Sequence, residues 1–235
     1  MRKQITTLLG FGLLMLLFAG TASASIISSS VDFGTLYYGI GADASTLETN
    51  LLTTYYVNQT ETYEGIGAGT SVSSYNSPIG GFTGYGTVLD TNTAGMFAAA
   101  GTNYLAVAYN GSVSRNWSFS LDNPSDSLAG MDYRAVGFYV TGFDSSKDFI
   151  LTVSYADGST ATINLGAMVS ETVDSGVAIY FGIVGDKRIS GFTVANVQDQ
   201  YAIDNVSAMS TPIPGAVWLF GTGLLGLLGY RRMRG

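Results

Sequence analysis

FILTVSYADGSTATINL, residues 149–165, is the stretch whose reading decides the fold. Phe149, Leu151, Val153 and Tyr155 occupy every second position, and so do Ala161, Ile163 and Leu165 after the Asp157-Gly158 pair. A strand sends successive side chains to opposite faces, so this period of two places the apolar set on one face and Thr152, Ser154, Thr160, Thr162 and Asn164 on the other. Asp-Gly between two such runs predicts a hairpin with a two-residue type I′ turn, because both turn positions need positive φ.

The same pattern extends outward. Val113, Trp117, Phe119 and Leu121 alternate with Ser114, Asn116, Ser118 and Ser120. Asn110-Gly111 stands between the runs Tyr104–Tyr109 and Val113–Leu121 and predicts a second tight hairpin. Further strands are expected near Tyr133–Thr141, Val177–Val184, Ile189–Val197 and Tyr201–Ala208. From Ser25 onward no segment shows sustained helical periodicity. Residues 37–101 are patterned more poorly and predict either two to four short strands or long surface loops. The 31 glycines keep no fixed period, which excludes a solenoid or propeller. The expected fold is all-β: an antiparallel β-sandwich, jelly-roll-like, flanked by an N-terminal signal helix and a short C-terminal transmembrane helix.

Composition narrows the chemistry. Among 235 residues there is no Cys and no His. Disulfides, thiolate or imidazole metal sites, Cys nucleophiles and Ser-His-Asp triads are thereby excluded. The segment 25–211 holds five basic residues against all 17 acidic ones, a net of −12. Nucleic acid is not an expected partner, since phosphate binding needs a basic face. An acidic chain rich in Gly, Ser, Thr and Tyr suits an extracellular protein.

The ends read as addresses. Arg2 and Lys3 precede an apolar run from Leu8 to Phe18, and Ala22-Ser23-Ala24 follows. This predicts a secretory signal peptide over residues 1–24, with Ala22 and Ala24 filling the signal peptidase pocket, and export through the Sec machinery. At the other end, Thr211-Pro212-Ile213-Pro214-Gly215 leads into an apolar run from Ala216 to Tyr230 and then Arg231, Arg232 and Arg234. Prolines two apart fix an extended segment. The 15-residue run would form a helix of roughly 22 Å, short against a ~30 Å hydrocarbon core. The arginines act as a cytoplasmic stop and leave residues 25–210 outside.

That order of parts resembles the PEP-CTERM family of bacterial sorting signals, in the variant whose motif reads V-P-L-P-A. Pro212, Pro214, Ala216, Val217, Trp218, Leu219, Phe220, Gly221 and Gly223 match it, while Thr211, Ile213 and Gly215 depart from it. The resemblance implies a sorting segment over residues 211–235 with Pro212, Ile213, Pro214, Gly215 and Ala216 as its motif. It further implies an exosortase-type protease as partner and delivery to the surface or exopolysaccharide matrix of a Gram-negative bacterium. Residues 134–138, 153–159, 180–184 and 201–206 look like the skeleton of the jelly-roll ectodomains joined to this signal, which resemble carbohydrate-binding modules.

Two candidate sites follow from residue types. A carboxylate on a strand between Ile203 and Val206 is costly to bury without hydrogen bonds or a cation. Either Asp204, Asn205 and Asp32 supply oxygens to one structural Ca²⁺, with the first and last strands side by side, or Asp204 accepts hydrogen bonds from a loop. Tyrosines gather at Tyr37-Tyr38, Tyr55-Tyr56, Tyr63, Tyr75 and Tyr85, with Trp117 beyond. Exposed, they would stack on sugar rings, with Tyr55, Tyr56 and Tyr63 as the expected glycan platform. Otherwise one Tyr of each pair faces the core and the other covers a sheet edge. Enzymatic action would need a carboxylate pair, and nothing in the spacing of Glu48, Glu61, Glu64 and Glu171 marks one, so no enzyme is expected. The sequence-based reading is an exported structural, adhesive or glycan-binding protein. The alternatives are a surface glycoside hydrolase and a permanently tail-anchored envelope protein.

Overall fold

The structure, a computed structural model, describes residues 27–31, 34–107, 115–121, 132–142, 144, 148–169, 176–196 and 200–210. The expected signal peptide and sorting tail lie outside these residues. Among the described residues no helix is long and apolar enough to cross a membrane.

In chain order the elements are β1 (Ile27–Val31), β2 (Gly34–Ile40), α1 (Ala42–Thr54), β3 (Tyr56–Glu61), β4 (Ser71–Ser77), β5 (Gly80–Leu89), β6 (Tyr104–Val107) and β7 (Arg115–Ser120). They continue with β8 (Tyr133–Thr141), β9 (Phe149–Tyr155), β10 (Thr160–Asn164), α2 (Leu165–Met168), β11 (Ile179–Gly185), β12 (Ile189–Asn196) and β13 (Tyr201–Ser210). All strand pairs are antiparallel, in the order β1-β2-β11-β8-β13-β6-β5-β7-β12-β9-β10, with β3 on β13 and β4 on β5. Short β6 joins the two halves, taking β13 on one edge and β5 on the other.

Ring contacts close the sheet on itself. Trp117 of β7 meets Phe138 of β8 edge-on at 5.5 Å, and Phe138 stacks on Phe192 of β12 at 5.9 Å. Phe149 of β9 lies 6.4 Å from Phe181 of β11 and 4.9 Å from Tyr201 of β13. Since β8, β11 and β13 belong to one half and β7, β9 and β12 to the other, the halves face each other as a sandwich around one apolar core. Each such ring takes roughly 150–250 Å² out of water, which makes this stack the largest packing contribution in the fold. The strands foreseen after residue 103 all form, within a few residues of their expected limits.

Three expectations need correction. The Asp157-Gly158 hairpin forms, but by a three-residue turn. Gly158 donates to the Tyr155 carbonyl at 3.0 Å, Tyr155 donates to the Ser159 carbonyl at 2.9 Å, and of the turn residues Gly158 alone has positive φ (82°). Asp157 stays in the ordinary region and its Oδ1 accepts the Ser159 N–H at 2.9 Å, so a type I turn with a following left-handed glycine wins over type I′. Second, Asn110-Gly111 does not join paired strands. β6 and β7 lie end to end along the same edge of β5, opposite β4, because β5 is ten residues long and offers Thr87–Leu89 to one and Gly81–Gly84 to the other. Residues 108–114 lie outside the described residues.

Third, residues 37–101 hold a 13-residue helix besides β3, β4 and β5. Ala44, Leu47 and Leu51 give α1 its buried stripe against Tyr37, Ala135, Tyr139, Tyr180 and Met209 on the outer side of the β2-β11-β8-β13 half. The helix escapes a sequence reading because four of its thirteen residues are threonine or serine whose hydroxyls bond carbonyls one turn back: Ser45 and Thr46 to Ala42, Thr49 to Ser45 and Thr53 to Thr49. Such residues have weak helix propensity, and tertiary packing decides instead. The seat is cut to fit. A Cβ at Gly182 would lie 2.2 Å from Leu51 Cδ1, and one at Gly39 would lie 2.5 Å from the Asp43 carbonyl oxygen. Gly39→Ala, whose Cβ would meet the backbone of Asp43, must therefore lift α1, with an expected loss of about 1–3 kcal/mol, whereas Gly158→Ala strains only a turn. Urea denaturation of the two variants checks the order.

Candidate functional site

α1 covers the outer side of one half of the sandwich. The outer side of the other half, built from β4, β5, β7, β12, β9 and β10, meets solvent. Its registers bring together Ser74, Thr83, Ser118, Thr193, Thr152 and Thr162, each directly opposite the next, in one unbroken row across six strands. All six are exposed or half-buried. Thr152 Oγ1 and Thr162 Oγ1 lie 3.2 Å apart, and Ser118 Oγ donates to the Thr83 carbonyl at 3.3 Å. Neighbouring strands are spaced about 4.7–4.9 Å, so the row carries one hydroxyl at each such step over roughly 24 Å.

The flanking rows are also uncharged. On one side run Asn76, Gly81, Ser120, Gly191, Ser154 and Thr160, where the two glycines leave the surface low beside the hydroxyls. On the other run Asn116, Ala195, Ile150 and Asn164. Tyr85 stands two residues from Thr83 on the same face of β5 and is 61% exposed, the one large apolar side chain so open among the described residues. The outward strand positions offer hydroxyls, amides and one aromatic ring to a ligand and no charge, while one carboxylate, Asp148, stands at the end of β9 and accepts from Asn164 Nδ2 at 2.6 Å. The hydroxyl-bearing positions on β7, β9 and β10 were visible as the polar half of each alternating run. Their alignment into one row depends on strand order, which no local pattern encodes.

Of the expected tyrosine platform, Tyr63 is removed and Tyr55 is half-covered. Tyr63 is fully buried, with φ 58° and its N–H on the Glu61 carboxylate at 2.7 Å, so it offers no face to a sugar. Tyr55 is half-buried beside Tyr37 at the end of α1, and burial raises its hydroxyl pKa to about 12. Tyr56 lies on β3. Tyr38 points into the main core while Tyr37 lies under α1, and Trp117 is wholly interior. Period-two strands sort aromatic pairs to opposite faces, and here both faces of β2 are covered.

Asp204 is buried, at 1% exposure. Its Oδ2 accepts the N–H groups of Ala99 and Ala100 at 2.8 and 2.9 Å, and its Oδ1 accepts that of Asn205 at 2.8 Å. The cause is a change of partner along β13. Residues Tyr201–Ile203 pair with β6 and Val206–Ser210 with β3, so Asp204-Asn205 faces a gap in the sheet, and the loop 97–103 fills it. Asn205 bends the strand through φ 47° and donates its Nδ2 to Glu48 Oε1 at 3.1 Å, while the Tyr139 hydroxyl donates to Glu48 Oε2 at 2.9 Å. The same loop is held by Glu64, whose Oε1 accepts from Thr102 and Asn103 at 2.6 and 2.8 Å, and by Thr141, whose hydroxyl accepts from Phe97 at 3.0 Å. Asp204 thus accepts hydrogen bonds from a loop, one of the two expected arrangements.

For the calcium arrangement, the juxtaposition of strands is corrected. β1 pairs with β2, and β2, β11 and β8 separate it from β13, because β1 folds back as a hairpin on the edge. Asp32 lies outside the described residues, among which no three carboxylates gather as a metal would require.

No family model matches the chain, and no curated protein matches it significantly. Several solved structures resemble it weakly. The CBM22-1 xylan-binding domain of Paenibacillus barcinonensis Xyn10C is 14% identical with a TM-score of 0.41, over 68% of this chain and 97% of that one. The C-terminal family 22 carbohydrate-binding module of Clostridium thermocellum Xyn10B is 12% identical at 0.40, over 67% and 95%. The K2 cleaved adhesin domain of Lys-gingipain is 12% identical at 0.40, over 64% and 96%. At scores below one half, no residue or role passes from those proteins to this one.

Burial raises the Asp204 pKa from 3.8 to about 7, against the opposing pull of the three N–H donors. The folded carboxyl holds its proton to a higher pH than the unfolded chain does. Its contribution to stability is complete below about pH 4 and is lost as pH rises towards 7. Backbone N–H groups lower the exposed Glu64 pKa instead, and its contribution is lost as pH falls. Asp204→Asn is expected to flatten the fall in melting temperature between pH 4 and 7. Asp204→Ala, which leaves three N–H groups without their acceptor, is expected to destabilise at every pH by at least about 2 kcal/mol. Melting curves across that range distinguish the two.

Proposed function

We propose that this chain is an exported adhesive or structural protein of the bacterial surface or exopolysaccharide matrix, and that it binds glycan through the open face of its sandwich. One observation carries the binding half of the reading: a solvent-facing six-strand surface of aligned hydroxyls and amides whose outward strand positions carry no charge, edged by Tyr85. Neutral hydroxyl and amide groups match sugar hydroxyls, and an exposed ring matches the apolar side of a pyranose. From β7 to β13 the chain crosses between the halves at every connection except the β9–β10 hairpin, which supports the jelly-roll-like reading.

Export and sorting rest on the termini: signal peptidase acting at Ala22 and Ala24, then an exosortase-type protease acting at the Pro212–Ala216 motif. A non-catalytic role fits the use of the carboxylates. Asp204, Glu48, Glu61 and Glu64 each hold backbone or side-chain donors of this chain, which leaves them occupied as structural acceptors. The secreted product tests both halves. Its intact mass is expected to lack residues 1–24 and everything beyond the proline motif, and it is expected to be retained by immobilised exopolysaccharide of the producing cell. A mass that includes Arg231 to Arg234 indicates a permanent tail anchor, and release of reducing sugar from the polysaccharide indicates a hydrolase.

A further inference from the structure

The row of hydroxyls crosses the strands rather than following them, and this constrains the shape and charge of whatever lies on it. We infer that the ligand is a neutral, extended polysaccharide laid across the strands, along the line from Ser74 to Thr162. The inference rests on the glycan-binding reading above and deepens it.

Three observations converge. The first is periodicity. Ser74, Thr83, Ser118, Thr193, Thr152 and Thr162 repeat at the distance between strands, about 4.7–4.9 Å, which is comparable to the advance per sugar in an extended pyranose chain. A polymer in this direction meets a hydroxyl oxygen at each step. Along a strand, by contrast, the hydroxyl repeats only once, from Ser118 to Ser120 on β7, Thr152 to Ser154 on β9 and Thr160 to Thr162 on β10, before Asn116, Ile150 or Asn164 ends the run. The second is relief. Gly81 and Gly191 lower the row on one flank, while Tyr85 stands on the other, so a chain has a shallow bed with an aromatic side wall. The third is charge. The segment 25–211 carries a net of −12, yet the outward positions on these six strands carry none of it. A polyanion would be repelled by the body and find no cation on the face, whereas a neutral chain loses no charge solvation on docking.

Strand register is rigid, so the sites act as a line, and affinity is expected to grow with ligand length until the row is filled.

Affinity gel electrophoresis of the native secreted protein against neutral polymers (mixed-linkage glucan, xylan, mannan) and acidic ones (polygalacturonate, alginate) tests the charge claim. Titration with oligosaccharides of two to eight residues from the retarding polymer tests the length claim. Two variants test direction. Thr83→Val with Ser118→Val and Thr193→Val removes hydroxyls along the row, and Asn116→Ala with Ser120→Ala removes contacts along β7 while sparing Ser118. All these positions face outward and the melting temperature reports that each variant is folded.

The expected result is retardation by a neutral polymer, affinity rising at least tenfold from two residues to six, a loss of tenfold or more in the triple variant, and less than threefold in the β7 variant. Retardation by none of the polymers overturns both this inference and the reading beneath it, as does inhibition of ice growth by a protein that no polymer retards. Preference for an acidic polymer, affinity independent of length, or a larger loss in the β7 variant overturns the inference alone and leaves glycan binding standing.

Discussion

Trp117 sits where the two halves of the sheet meet. It contacts Phe119, Phe138 and Phe192 edge-on at 5.5–5.6 Å, two of them on its own half and one across the core. An edge-on ring places its positive rim against the negative face of its neighbour, which favours one relative orientation of the layers over a merely greasy fit. Everything outside the sandwich depends on that orientation. The seat for α1 exists because β2, β11, β8 and β13 turn their other side outward, and the hydroxyl row exists because β7, β12, β9 and β10 do the same.

The two outer sides then diverge because of small residues. Gly39, Gly137 and Gly182 flatten one side, so a helix and the Tyr180 ring come close enough to seal it. The other keeps short hydroxyl side chains, too small and too polar to recruit a cover of their own. Glu48 and Asp204 belong to the sealed side and its rim, whereas Asp148 and Asp157 stand at the two ends of β9 in the other half. Glu48 and Asp204 spend their oxygens on Tyr139, Asn205 and the loop 97–103. Those two charges serve architecture, and the outward strand positions of the other half carry none.

Sequence reading succeeded where a single local rule decides. Phe149–Tyr155 and Thr160–Asn164 alternate so cleanly that both strands and their pairing follow from period two alone. It faltered where distant contacts decide. Asn110-Gly111 carries a hairpin signature, yet the flanking strands each pair with a different stretch of β5 instead of with each other, a choice made by residues well outside the turn. Helix α1 is rich in threonine and is helical because Gly39 and Gly182 make room for it. Tyr63 looked like a surface aromatic in a polar neighbourhood, whereas its left-handed backbone turns the ring inward. Asp204 was legible as a residue needing partners, because burying a carboxylate always raises that question. The identity of the partners, Ala99 and Ala100, came only from the gap between β6 and β3. The hydroxyl row was half legible: its residues are in plain view, and their alignment is a property of the assembled sheet.

The position of β13 has a mechanical consequence. It is flanked by β8 along one edge and by β6 and then β3 along the other, and its last paired residue, Ser210, adjoins the tail. Tension drawn through that end pulls along the axis of β13, so its inter-strand bonds on both edges resist together in shear. The same force on an edge strand at right angles to its axis would instead peel bonds one at a time. A force applied to Ser210 along β13 is therefore shared by its bonds to β8 and to β6 and β3 at once.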